Sequence, residues 1–142
     1  MTEERSASVK TYVLDSHPLL IYFERQDGWE AVADMLQEAS EEKCQLVLSV
    51  INWGEVYYIT LREYNEEYAE KVLHALRNMP IELKDVNKEV TMNAARLKAK
   101  GGLSYADCFA AGLAMTIDNS EVVTGDKEFK QVEKNVKVHW MK

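Results

Sequence analysis

The sequence predicts a three-layer α/β/α domain with a mainly parallel central sheet, and three observations carry that prediction. Short β-rich runs alternate with longer helical patterns in the order βαα, βαα, βα, αβ, β, the spacing of strands joined by helical crossovers. The run LVLSV at 46–50 is continuously apolar, as in a strand covered on both faces. Finally, the segment that begins at Ser104 is apolar around most of a helical circumference: Ala106, Phe109, Ala110, Leu113, Ala114 and Ile117 on one side, Ala111, Gly112 and Met115 on the other. Such a helix belongs in an interior layer.

Residues 1–9 read as a short flexible lead without a motif, and residues 10–142 as one domain. The run KTYVLD at 10–15 predicts a first strand with Asp15 at its end; Ser16 and Pro18 then open a helix whose apolar face is Leu19, Leu20, Tyr22 and Phe23. Gly28 breaks that helix. A second follows from Trp29 to about Lys43, with Trp29, Val32, Ala33, Leu36 and Ala39 toward the core. The second strand is expected over 45–51, and Asn52 is expected to cap the next helix, which places Glu55 three positions inside it. A further helix over 65–78 ends at Pro80. The third strand is expected over 81–86, followed by a helix that Asn87 caps and Gly101-Gly102 terminates. Ser104 caps the buried helix, with Asp107 three positions on, and Asp118 and Asn119 end it. A strand over 121–124 leads to a turn at Gly125 and Asp126, then one or two helical turns over 128–133 and an edge strand over 136–140.

Composition narrows the class. A chain of 142 residues with 46% hydrophobic and 29% charged residues matches one soluble globular domain. No apolar run approaches the ~20 residues of a membrane helix, and the first ten residues lack a signal peptide's apolar core, so a cytoplasmic protein is expected. Cys44 and Cys108 are far apart, with Cys108 in the buried helix, and read as packing thiols. A net charge of −7 excludes binding to nucleic acid through overall charge, though not through a bridging metal.

Ligands of open α/β sheets gather beyond the carboxyl ends of the strands, where this layout puts Asp15, Glu55, Asp107 and Asp126. Each has an ordinary explanation. Asp107 and Glu55 stand where acids favour a helix start, Asp15 can cap the helix after it, and Asp126 fits a turn. The alternative is one crevice holding four carboxylates. Unit charges ~4 Å apart repel by ~4 kcal/mol at an effective dielectric of ~20, so such a crevice calls for a cation. All-oxygen donors favour Mg²⁺ or Mn²⁺ over Zn²⁺.

The segments that carry these acids also resemble the PIN domain, in particular the toxin-type ribonucleases called VapC. VLDSHPLLIYFE is similar to that family's first strand and helix, SVINWGEVYYIT to its Glu-bearing helix, and LSYADCFAAGLA and VVTGDKEF to its third and fourth acidic motifs. The resemblance runs from about residue 11 to the C-terminus. It implies a metal-dependent endoribonuclease with Asp15, Glu55, Asp107 and Asp126 around one or two Mg²⁺ or Mn²⁺ ions. Asp15 and Asp107 would be direct ligands; Glu55 would ligate a second ion or orient water; Asp126 would act directly or through water. Ser16 and Thr124 match the family's supporting hydroxyls. His17 and Pro18 depart from the small residues usual after the Asp-Ser pair.

For substrate, Lys127 beside Asp126 is the best candidate for a phosphate contact, and His17 is either a second contact or a plain first-turn residue. Trp53 and Tyr105 would stack a base or pack in the core. The resemblance further implies an RNA substrate, a cognate antitoxin that covers an apolar groove, and a homodimer. Leu19 to Phe23 and Trp29 to Leu36 would form that groove, or belong to the core. An inactive PIN-like scaffold and a PIN nuclease of RNA processing remain the alternatives. A receiver-type or phosphatase domain would want neighbouring acids after the first strand, where His17 stands two residues beyond Asp15.

Overall fold

The computed structural model describes residues 9–141, so all but the last residue of the expected lead lies outside the described residues. Five strands, β1 (Thr11–Leu14), β2 (Gln45–Ser49), β3 (Ile81–Lys84), β4 (Ser120–Thr124) and β5 (Val138–Trp140), form one sheet in the order β3-β2-β1-β4-β5. Every pairing is parallel. The helices are α1 (Ser16–Glu24), α2 (Trp29–Ser40), α3 (Val50–Glu63), α4 (Glu66–Arg77), α5 (Lys88–Lys100) and α6 (Tyr105–Ala114), with a 3-10 segment at Lys127–Val132.

Alternation along each strand divides the core into two. Val13, Val47 and Val122 point to the side of α5, α6 and the 3-10 segment, where Val90, Ala94, Leu97, Phe109, Leu113 and Phe129 cover them. Leu14, Leu46, Leu48 and Val123 point the other way, under Leu19, Val32, Leu36, Val56, Val72 and Leu76 from α1 to α4. The result is the expected three-layer α/β/α arrangement, held by side chains each worth roughly 1.5–3 kcal/mol of burial. The apolar stretch over α1 and α2 divides in the same way: Leu19, Ile21, Val32 and Leu36 are core, whereas Leu20, Tyr22, Phe23 and Met35 are half-buried.

Gly112 sets the spacing of α5 and α6. A Cβ there would stand 3.0 Å from both the Ala94 nitrogen and the Val90 carbonyl oxygen, so the two backbones meet without an intervening side chain. All of α6 from Asp107 to Ala114 is buried, as its apolar circumference predicts.

The main departure concerns α3. Asn52 does not cap it; Ser49, the last residue of β2, does, with its Oγ accepting from the Asn52 N–H at 3.0 Å. The helix thus begins at Val50, and Glu55 lies beyond its first turn, too far in to serve as a capping acid. Other ends shift modestly: α2 stops at Ser40, β3 at Lys84 and α6 at Ala114. Among the described residues no helix is long and apolar enough to cross a membrane.

Candidate metal centre

The carboxyl ends of β1, β2 and β4 adjoin one another, because β1 pairs with both of the others. Asp15 follows β1 and is 1% exposed. Its Oδ1 accepts from the Ser16 N–H at 2.8 Å, which caps α1, and its Oδ2 accepts from the Thr124 hydroxyl at 2.9 Å. Thr124 Oγ1 accepts in turn from the Asp126 N–H at 3.0 Å. The carboxylate is therefore fixed by two strands and one helix start, and each oxygen retains acceptor capacity.

Asp107 sits in the first turn of α6, behind the Ser104 cap, and is buried. Glu55 projects from α3 and is half-buried. Each of Asp15, Glu55 and Asp107 offers one carboxylate oxygen, and these oxygens lie within 4.8 Å of one another. Glu55 Oε1 is buried without a hydrogen-bond partner.

Electrostatics follow from that crowding. Burial pushes the Asp15 carboxyl well above the ordinary carboxylate range, and the Asp107 and Glu55 charges push the same way against the Thr124 hydrogen bond. Asp107 is pushed up to about 6, first by burial, with hydrogen bonds from Asp15 and Ser104 opposing and the Glu55 and Asp126 charges adding. Two buried acids that resist ionising together, beside a third with an orphaned buried oxygen, form a donor set that a hard divalent cation satisfies.

Asp126 does not join the three. Its Oδ1 accepts from the Glu128 N–H at 2.9 Å and caps the 3-10 segment, leaving it at the rim, where its charge still reaches Asp107. The turn expected at Gly125 and Asp126 thus leads straight into that segment, with Asp126 as its cap. Ser16 is buried beside Asp15, and its backbone N–H makes the observed contact. The His17 ring lies against Gly125, with Nε2 2.8 Å from where a Cβ would be, so it adjoins the turn that leads to Asp126. Lys127 is exposed. Trp53 is half-buried and packs against the core beside Leu48, Leu73 and Leu76, whereas Tyr105 is 46% exposed and meets Phe109 edge-on. His139 stands with Glu121 and Tyr12, its Nδ1 3.4 Å from Glu121 Oε1.

Sequence reasoning missed the part played by Asn52. The residue is fully buried; its Oδ1 accepts from the Ser49 hydroxyl at 2.7 Å, and its Nδ2 donates to the Ala106 carbonyl at 3.1 Å. A signal was present, since Ser49 precedes Asn52 by three positions, the spacing of a cap and its recipient.

Residues 12–135 match the family model of the PIN domain. No match is found among curated protein sequences. Among solved structures, the chain is similar to VapBC2 from Rickettsia felis bound to a DNA fragment from its promoter, with a TM-score of 0.73 and 17% identity over 93% of this chain and 99% of that one. DNA-bound VapBC from Salmonella typhimurium gives 0.71 and 15% over 92% and 98%. VapBC-5 from Mycobacterium tuberculosis, a member of the VapBC family of toxin-antitoxin systems, gives 0.60 and 15% over 93% and 98%.

Proposed function

The chain belongs to the PIN domain family, and on that premise we propose that it is a divalent-metal-dependent endoribonuclease, the toxin of a VapBC-type pair. The observation that carries the reading is the convergence of Asp15, Glu55 and Asp107 on one point, with Glu55 Oε1 buried and unpartnered there. A scaffold module has no need of that oxygen, which costs about 1–3 kcal/mol of desolvation if nothing binds it.

Asp15 and Asp107 hold the Mg²⁺ or Mn²⁺, and Glu55 completes the donor set or orients the attacking water. When bound, the cation supplies Lewis acidity to a phosphoryl oxygen and acidifies a water molecule. Thr124 and Ser16 keep the Asp15 carboxylate in its rotamer, so binding needs little rearrangement. Asp126 acts from the rim through water, and Lys127 and His17 meet the phosphates that flank the scissile bond. The overall reaction joins a water oxygen to phosphorus and releases the ribose oxygen. Grip on the RNA backbone then rests on phosphates held by the metal and the loops rather than on overall charge, which is −7.

The partner proposal is a cognate antitoxin, with the toxin itself a homodimer. It is supported by the likeness to proteins solved as VapBC assemblies and by half-buried Tyr22, Phe23 and Met35 beside an apolar depression lined by Val32, Met35, Trp140 and Met141.

The test is cleavage of mixed tRNA and rRNA with Mg²⁺ or Mn²⁺ and with EDTA, comparing the wild type with Asp15→Asn and Asp107→Asn. Metal-dependent cleavage lost in both variants is expected. Cleavage that survives both would overturn the assignment.

A further inference from the structure

Glu55 and Asp107 reach their common point from separate helices, so their separation depends on how the first turns of α3 and α6 are held together. The side chain of Asn52 spans that gap. Its Nδ2 donates to the Ala106 carbonyl across 54 positions of sequence, immediately before Asp107 and one helical turn before Glu55. Its other end is fixed as well, because Oδ1 accepts from the Ser49 hydroxyl at the end of β2. The amide is fully buried and thus cannot exchange these partners for water without opening the core.

A buried polar residue inside a helix costs stability unless its hydrogen bonds are made, a cost that an apolar residue would not carry. The bond to Ala106 does nothing for α3 alone. It joins two helix starts that the like charges of Glu55 and Asp107 drive apart. We infer that Asn52 is a positioning residue of the metal centre, one that sets the distance between the Glu55 and Asp107 carboxylates by tying α3 to α6. The inference rests on the proposed metal-binding role of those acids.

The test is Mn²⁺ titration of the full chain, by calorimetry and by electron paramagnetic resonance of the bound ion. The set is wild type, Asn52→Leu, the milder Asn52→Ser, Thr60→Val, Glu55→Gln, and Glu55→Gln combined with each Asn52 variant. Thr60 is the structural control: it is equally buried on α3, but its hydroxyl bonds only within that helix, to the Val56 and Tyr57 carbonyls. Asn52→Leu is expected to raise the Mn²⁺ Kd by about 10–100-fold, the range for loss of an outer-shell partner, and Thr60→Val by less than about twofold. In the Glu55→Gln background the Asn52 effect should shrink severalfold, because the residue acts through that carboxylate. Should Asn52→Leu fail to fold, Asn52→Ser, too short to reach Ala106, carries the same expectation.

Wild-type affinity in the Asn52 variants, or a loss matched by Thr60→Val, would overturn the positioning role while leaving the metal site standing. Full additivity with Glu55→Gln would overturn it too. Absence of Mn²⁺ binding in the wild type would instead remove the metal-site reading, and the positioning role with it.

Discussion

The Thr124 hydroxyl donates to Asp15 Oδ2 at 2.9 Å, linking the ends of two neighbouring parallel strands through the most buried acid of the site. Thr124 Oγ1 also accepts from the Asp126 N–H, so one hydroxyl sets both the rotamer of Asp15 and the path of the turn that carries Asp126. Replacing it removes both at once. Thr124→Val, which preserves shape, should weaken Mn²⁺ binding and cleavage by about tenfold or more. It should also cost roughly 1 kcal/mol in urea unfolding. Thr124→Ser retains the donor and should restore most of the affinity. A Val variant with unchanged Mn²⁺ affinity would show that Asp15 needs no such orientation.

Much of this was legible in the sequence, because the relevant signals are local. Ser104 and Asn87 each cap the helix that their spacing implies, the helix expected over 65–78 forms behind an Asn65 cap, and the apolar circumference of 106–114 fixes an interior helix. The start of α3 was less legible. Val50 and Ile51 are β-branched and extend the strand pattern, and both Ser49 and Asn52 are good caps. Tertiary structure decides: β2 pairs with β3 only as far as Ser49 opposite Lys84, and the chain turns into the helix there. Asp126 poses the same kind of difficulty. Its position at the correct edge can be read from order, but not the competition for its carboxylate by the Glu128 N–H.

The crowded acids make stability depend on pH. Both Asp15 and Asp107 have folded-state values raised above those of the unfolded chain, Asp107 to about 6. Protonation therefore favours the native state. Their contribution is fully present below the unfolded value near ~4 and is lost as pH rises through the folded one. Without metal, the chain should therefore lose stability from this site between pH 4 and pH 7.5. Mn²⁺ should restore stability at pH 7.5 and do little at pH 4.5. Asp107→Asn removes one of the charges and should flatten the profile. Unfolding curves at several pH values, with and without Mn²⁺, test this; a metal-free protein that grows steadily more stable from pH 5 to pH 8 in step with Asp107→Asn would contradict it.

Gly112 tests the packing that places α6. A Cβ added there would stand only 3.0 Å from backbone atoms of α5, which cannot yield as a flexible side chain would. Although alanine is the better helix former by ~1 kcal/mol, Gly112→Ala should be destabilising by about 1–3 kcal/mol, because overpacking forces the helices apart. Gly54 is the matched control, since a Cβ there meets nothing within 4 Å. Gly54→Ala should be neutral or stabilising in the same unfolding assay. Equal effects at the two positions would mean that α5 and α6 adjust freely.

The four acids should not contribute equally, and their ranking separates the observed geometry from a site of four equivalent ligands. Asp15 and Asp107 are buried within the cluster, whereas Asp126 stands outside it with one oxygen committed to the Glu128 N–H. Asp126→Asn keeps that capping acceptor and leaves the inner carboxylates in place. Its Mn²⁺ Kd should therefore rise by about tenfold at most, an outer-shell effect, while Asp107→Asn should abolish measurable binding. Removing the Asp126 charge should also lower the Asp107 titration midpoint, because that charge helps to raise it. Carboxyl carbon NMR follows the midpoint, and calorimetry the affinity. If Asp126→Asn lost binding as completely as Asp107→Asn, the fourth acid would have to swing inward on metal binding, giving up its contact with the Glu128 N–H.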